Sequence, residues 1–416
     1  MKCKNVLLMT MCALAGTATA LTVSDVSAHA RYPWQSVIDV DFTVSDAKAS
    51  DLFKVSISAK YANGTTNLYA RTFVSEPICA RGVNRVSWNV EADYPGLKVD
   101  DIQVAVTLAP INIDSLDVYM VIDLSSGPNS SRYPVNYTFT PPVLVPTNDL
   151  VACAADPNRT TKLWLKRVKE SEFKFGGTDG NKNGIFTVRL SPYYIGVFEL
   201  TQKQWVLVMN AWPSKWANET YRAARPVETV NYEDVIGHNN WPNSKEVAAD
   251  SFVGRMRART GLSTFNLPTE AQWECACRSG RSGSVPAKED TARYVQNKGN
   301  INDFMGDPNN GTAIVGSYNA NPWGFYDFNG NVLEMCLDAY ASDDDLKVLY
   351  EGLNPVIDPI GPAVNSTARY HATRGGYYDN TYLLASAYYR AYGASIITGM
   401  RDHRIGLRVA VSPDWK

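Results

Sequence analysis

The sequence predicts an α+β chain in two parts, an N-terminal antiparallel β-sandwich followed by a loop-rich domain with two or three helices. Three observations lead there. Up to about residue 146 the chain is rich in Val, Thr, Ser and Tyr, and apolar and polar residues alternate with period two, as half-buried strands require. Prolines 141, 142 and 146 then punctuate the chain, as linkers do. Beyond them, Thr201-Gln202-Lys203-Gln204 and Thr269-Glu270-Ala271-Gln272 are capping-box signatures for helices, while residues after Ser279 show little periodicity.

In chain order, Lys2 and Lys4 precede an apolar run from Val6 to Ala15, and Ala18-Thr19-Ala20 is a small-residue cleavage site. Residues 1–20 therefore read as a secretory signal, which implies a secreted or periplasmic protein, or one at the cell surface. No later window is long and apolar enough for a transmembrane anchor. Residues 21–146 form the expected sandwich. Its alternating runs are 37–44, 53–59 and 103–108, with turns at Asn63-Gly64 and Pro95-Gly96. Cys79 alone cannot make the inter-sheet bridge of an antibody domain, so only the looser sandwich class follows. Residues 147–160 read as a linker. In the second domain, 161–416, strands are expected at 161–168, 193–200 and 225–230, and Leu407-Arg408-Val409-Ala410-Val411 is a periodic stretch near the end. Helices are expected at about 202–210, at 244–260 with Gly261 as terminator, and from Thr269 to about Arg278 with one side buried.

Composition excludes some functions. Removing Lys2 and Lys4 lowers 40 basic residues to 38 against 42 acidic, and the charges are dispersed, so nucleic acid is not an expected partner. Seven cysteines become five after the signal is removed: Cys79, Cys153, Cys275, Cys277 and Cys336. Export permits a disulfide, and Cys277 and Cys336 are the candidate pair. Cys275-Ala276-Cys277 lacks the second pair a structural zinc site needs. His29, His238, His371 and His403 are too scattered for a metal triad and read as surface or capping residues. Asp343-Asp344-Asp345 reads as a solvated loop run.

The stretch that organises the second domain is Asn321-Pro322-Trp323-Gly324-Phe325-Tyr326-Asp327-Phe328-Asn329-Gly330-Asn331-Val332-Leu333-Glu334. Its Gly and Asn residues break regular structure, yet its four aromatic residues are too apolar for water, so a buried loop is implied. Asp327, Asn329, Asn331 and Glu334 offer oxygens to pair its backbone or to hold a hard cation such as calcium. The stretch resembles the signature loop of the formylglycine-generating enzyme, or sulfatase-modifying factor, family. Leu267-Pro268-Thr269-Glu270-Ala271-Gln272-Trp273-Glu274, Arg374-Gly375-Gly376 and Ile405-Gly406-Leu407-Arg408 agree with it in family order, over roughly residues 160 to 412.

That resemblance implies a C-type-lectin-like fold with two structural calcium ions. The inner set falls on Asp327, Gly330, Val332 and Glu334, through two side chains and two main-chain oxygens. The outer set falls on Asn300, Ile301, Asp307 and Asn309. It also implies a catalytic cysteine pair that binds copper, and here the sequence departs from the family. The matching positions are Ala385 or Ser386 and Arg390 or Ala391, and no cysteine follows Cys336. Copper(I) prefers thiolates, so copper is not expected. Arg374, Arg390, Arg401, Arg404 and Arg408 crowd the same region, either lining an anion-binding cleft or bracing loops. The expected function is a non-catalytic, calcium-stabilised module that binds a peptide or glycan; the alternative is a divergent formylglycine-generating oxidoreductase.

Overall fold

A computed structural model of the protein describes residues 21–31, 36–48, 51–61, 66–97, 102–146, 149–177, 185–237, 245–281, 311–362, 370–378, 385–390, 396–397 and 399–412. The segment read as a signal and the Asn63-Gly64 turn lie outside them. The chain divides into two compact units, Met1–Ile122 with Pro134–Pro141 and Asp123–Tyr133 with Pro142–Lys416. Each is mixed in composition, and its strands pair mostly antiparallel.

In the first unit the strands are β1 (Thr22–Ala30), β2 (Val37–Ser45), β3 (Phe53–Tyr61), β4 (Thr66–Tyr69), β5 (Ile78–Cys79), β6 (Gly82–Asn89) and β7 (Ile102–Pro110). One sheet runs β1-β2-β6; in the other, β3 pairs with β4, β5 and β7. Alternation decides which side chains meet. Ile38, Val40, Phe42 and Val44 of β2 share a buried core with Phe53, Val55, Ile57 and Ala59 of β3 and with Trp88. The other face of β2 is ionic: Arg85 holds Asp41 through two 2.7 Å bonds, and Arg31 and Ser87 donate to Asp39 at 2.7 and 2.6 Å. A hairpin of β8 (Tyr119–Asp123) and β9 (Val135–Thr138) completes the strands here. Helix α1 (Val90–Asp93) follows β6.

The segment read as a linker is structured. It carries α2 (Leu150–Ala155) and α3 (Pro157–Thr160), whose first turns are capped by Asp149 and Asp156 accepting from Ala152 and Asn158 N–H, both at 2.9 Å. Arg159 then fixes α3 by donating to Asp156 at 2.7 Å and to the Val315 carbonyl at 2.9 Å.

The rest of the second unit is built from three small sheets and the loops between them. Its strands are β10 (Lys162–Val168), β11 (Ser171–Phe175), β12 (Phe186–Leu190), β13 (Tyr193–Gly196), β14 (Phe265–Asn266), β15 (Leu333–Ala339), β16 (Val356–Ile357), β17 (Tyr370–Arg374), β18 (Ile396–Ile397), β19 (Ile405–Gly406) and β20 (Ala410–Val411). One sheet contains the run β14-β20-β13-β10, another is β18-β17-β15-β19, and the third is β11-β12-β16. The helices are α4 (Gln202–Met209), α5 (Tyr232–Val235), α6 (Phe252–Thr260), α7 (Glu270–Arg278) and α8 (Asp343–Leu349).

Both expected capping boxes are present, Thr201 with Gln204 on α4 and Thr269 with Gln272 on α7. Other expectations are corrected. Residues 245–251 are not helical, because Ser251 caps the helix by accepting from Gly254 N–H at 3.1 Å. Residues 225–230 form only a bridge at Pro226, and Thr229 sits at a positive φ of 61° that a strand does not allow. Asp343, Asp344 and Asp345 are no loop run but the first turn of α8, capped by Ser342, where acidic side chains suit the helix dipole. Helix α7 is buried on every side, not one, since partners satisfy Glu270, Gln272, Glu274 and Arg278.

One carboxylate pins the sandwich locally. Asp93 accepts from the Arg71 and Thr72 N–H groups at 2.7 and 3.1 Å, the Thr72 hydroxyl at 2.7 Å and the Trp88 indole at 2.8 Å. Partial burial opposes its ionisation, but these bonds outweigh it and hold the carboxyl below its usual 3.8. Asp93→Ala is expected to cost roughly 1–3 kcal/mol in urea unfolding at neutral pH. Because the folded carboxyl is the stronger acid, the parent's advantage is complete above about pH 4 and fades as pH falls through the lower folded value. Equal urea midpoints for parent and variant at pH 7 contradict this.

Candidate functional site

The motif loop is buried as its composition requires. Asn321 folds its first turn, its side-chain oxygen accepting from Trp323 and Phe325 N–H at 3.0 and 3.1 Å while its amide donates to the Ala276 carbonyl at 2.9 Å. Phe325 and Phe328 pack edge-on at 5.7 Å, and Trp273 of α7 packs against Phe328 at 5.1 Å. Asp327 and Asn331 adopt positive φ of 61° and 65°, which short polar side chains tolerate better than others.

These turns bring Asp327, Gly330, Val332 and Glu334 into one buried segment. Glu334 is fully buried and clamped: Arg408 Nε and Nη2 donate to its two oxygens at 2.6 Å each, and the Trp273 indole adds a bond at 2.8 Å. Asp327 accepts from Gly316 N–H at 2.7 Å through Oδ2, whereas its buried Oδ1 has no hydrogen-bond partner among the described residues. A third carboxylate stands beside them. Glu199 accepts from Asn331 Nδ2 at 2.6 Å and Val332 N–H at 3.1 Å. Burial foremost, and then the charges of Asp327 and Glu334, push Glu199 well above the usual carboxylate range. Burial foremost also lifts Asp327 to about 6.

An inner cation fits these residues. Three buried carboxylates share the Arg408 guanidinium, Arg159 adds a smaller attraction to Asp327 while bonded to Asp156, and Asp327 Oδ1 has no hydrogen-bond partner among the described residues. Glu334 retains one free lone-pair site of about four after its three hydrogen bonds. Among the described residues no group of three or more His, Cys, Asp or Glu side chains is placed to hold a metal, so such an ion needs main-chain oxygens like those of Gly330 and Val332. Asn300, Ile301, Asp307 and Asn309 lie outside the described residues.

The positions matched to the copper thiolates are occupied by other chemistry. Ala385 is buried, with its carbonyl accepting from Asn329 Nδ2 at 2.6 Å, and the buried Ser386 hydroxyl has no hydrogen-bond partner among the described residues. Arg390 donates to Glu270 at 2.5 and 2.8 Å and to Asp343 at 2.7 Å. Ala391 lies outside the described residues. Beside this pair, Arg374 bonds Glu274 and the Ala387 carbonyl, and its guanidinium lies 5.2 Å over the Trp273 ring. Burial opposes ionisation of Glu270, but Arg390 and Arg374 hold it below the usual range. With Arg401 on Asp234 and Arg404 on Asp402, all five C-terminal arginines brace carboxylates, so the bracing alternative holds over the anion cleft.

Two further readings are corrected. Cys277 and Cys336 are both free and buried: the Cys277 sulfur faces Asn329 at 3.7 Å, while that of Cys336 lies 4.0 Å from the Glu334 carbonyl. His371 is buried and stacked on Tyr232 at 3.5 Å, and burial lowers it to about 4, so it is a neutral core residue. His238 lies outside the described residues. Glu199 was missed as a site residue. Its signal was a lone carboxylate in the apolar run Ile195-Gly196-Val197-Phe198-Glu199-Leu200.

The family model for the sulfatase-modifying factor enzyme 1-like domain matches residues 158–413. The chain belongs to that family. The sulfatase-modifying-factor domain here is 33% identical over 225 residues to a protein named chaperone protein LppX from Paenibacillus barcinonensis, covering 46% of this chain and 77% of that one. It is 28% identical over 165 residues to the formylglycine-generating enzyme of Thermomonospora curvata, covering 38% of this chain but only 46% of the enzyme. The solved structure of PvdO from Pseudomonas aeruginosa aligns over 60% of this chain and 94% of its own, at 17% identity and a TM-score of 0.46.

The Arg408–Glu334 clamp predicts a sharp contrast in stability. Arg408→Met leaves Glu334 buried without its cation and is expected to cost about 3–5 kcal/mol in denaturant unfolding. Arg189→Met, at the pair with Glu172 whose side chains are 46% and 48% exposed, is expected to cost under about 1 kcal/mol. Equal losses for the two variants contradict the assignment.

Proposed function

We propose that this sulfatase-modifying-factor protein is an exported, non-catalytic binding module for a peptide or glycan, with loops fixed by calcium. The observation that carries the reading is the pair of positions matched to the copper thiolates. They hold Ala385 or Ser386 and Arg390 or Ala391, and Arg390 is committed to Glu270 and Asp343. A guanidinium carries no lone pair for copper(I) and repels any cation, so oxygen activation by the family's route lacks its ligands. The relative named as a chaperone supports a role in binding rather than oxidation. Export rests on Lys2, Lys4, the Val6–Ala15 run and Ala18-Thr19-Ala20.

Calcium is the resident ion this reading calls for. Asp327 and Glu334 side chains with the Gly330 and Val332 carbonyls would hold it, and its charge would offset the excess of buried carboxylate, fixing the loop. Its part in this reading is structural: it would hold the loop rather than take part in a reaction. Among the described residues no helix is long and apolar enough to cross a membrane.

The test is incubation of the full chain with a Cys-x-Pro-x-Arg peptide, copper and oxygen, followed by peptide mass. The thiol mass is expected to persist at the level of a no-protein control. Conversion to the aldehyde mass establishes the oxidoreductase and overturns the proposal.

A further inference from the structure

The loop after α4 carries an exposed tryptophan, Trp212, and a half-buried one, Trp216, each with a cation laid on its ring. Trp212 is 39% exposed, and the Arg222 guanidinium lies 4.1 Å from its ring centroid. Lys215 Nζ stands 4.8 Å over the Trp216 ring. The loop is held rather than loose, because Glu228 accepts from the Lys215 and Trp216 N–H groups at 3.1 and 2.8 Å. Trp216 is further fixed edge-on against Tyr378 at 5.6 Å and His403 at 5.8 Å.

Among the described residues two side-chain cations on this face are left without an ion pair, although Glu228 and Glu219 stand in the same neighbourhood. Arg401 and Arg404 nearby are paired with Asp234 and Asp402. Among the described residues Lys215 and Arg222 have no carboxylate partner, and Glu219, exposed in the same loop, pairs with neither. The Arg222 guanidinium covers one face of Trp212, so a ligand would use the other face of this 39% exposed ring together with the N–H donors of the cations. A π-face carries negative charge that attracts the C–H face of a sugar ring, and an N–H donor on a cation takes a carboxylate strongly. A peptide added as a strand needs a free strand edge, and residues 210–222 contain no strand.

We infer that this face binds an acidic polysaccharide, stacking its pyranose rings on Trp212 and seating their carboxylates on Arg222 and Lys215. The inference rests on the binding-module reading above and names the ligand class and place for it. The π-face selects sugar rings and the cations select uronates, so neutral polysaccharides and acidic peptides each satisfy only half of the site.

The test is affinity electrophoresis of the full chain through gels holding alginate, dextran or polyglutamate. Alginate is expected to retard the protein, at least tenfold more strongly than either of the others, and less so as salt rises. Trp212→Ala, and separately Lys215→Ala with Arg222→Ala, are expected to weaken retardation tenfold or more with unchanged melting temperatures. Trp212 and Lys215 are exposed and Arg222 is half-buried, and a melting check identifies any variant that misfolds; for such a variant Trp212→Phe is expected to restore partial retention. No retardation by alginate, equal retardation by dextran or polyglutamate, or folded variants that behave like the parent each overturn the inference. Peptide oxidation with alginate binding intact overturns the non-catalytic reading alone; absent alginate binding without peptide oxidation overturns this inference alone.

Discussion

The second unit depends on the pairing of Arg408 with Glu334. The guanidinium spends its donors on both Glu334 oxygens, on the Gly196 carbonyl at 2.9 Å and on the Tyr326 carbonyl at 2.9 Å, and it lies 3.6 Å from the Phe328 ring centroid. One side chain therefore joins β13, the motif loop, β15 and the C-terminal segment. A loop so rich in Gly and Asn has little regular backbone pairing of its own, and its order must come from such side chains. The same pairing leaves an imbalance, since Glu199, Asp327 and Glu334 share the Arg408 charge, and Arg159, which also reaches Asp327, is already bonded to Asp156. Calcium in the proposed inner site resolves that imbalance without disturbing the clamp.

A second ionic network occupies the position where the family keeps its thiolates. Arg374 and Arg390 interlock with Glu274 and Glu270 of the fully buried α7 and with Asp343 at the start of α8. Hard ion pairs fill the place where a soft metal would need sulfur. On the proposed reading, the scaffold would carry structural ion pairs where the family carries reactive atoms, in keeping with function residing in sites rather than in the fold. The tryptophan–cation loop proposed to bind a ligand lies on a separate segment, residues 210–222.

Local rules carried much of this into the sequence. Capping boxes at Thr201 and Thr269, the alternation of β2, β3 and β7, and the buried character of the motif loop all follow from side chains interacting within a few residues. What escaped depends mostly on distant partners. Residues 147–160 are the exception in part: the caps on Asp149 and Asp156 are local and follow from the sequence, whereas the Arg159 bond to the Val315 carbonyl is distant. His371 looks like a surface residue until Tyr232, far off in sequence, stacks on it. Glu199 is legible as an oddity in an apolar run, but its meaning appears only once Asn331 and Val332 close over it. The cysteine pairing failed for the same reason, because sequence separation says nothing of which way Cys277 and Cys336 face.

The central claim is that a hard divalent ion, and not a soft one, completes the buried carboxylate cluster around Asp327. Metal content of the full chain, equilibrated with calcium and copper(I) together and then desalted, tests it most directly by mass spectrometry of the elements. The account predicts retained calcium at about one ion per chain or more, reduced by one in Asp327→Ala, with copper at background. Stoichiometric copper, or calcium content unchanged by Asp327→Ala, contradicts it.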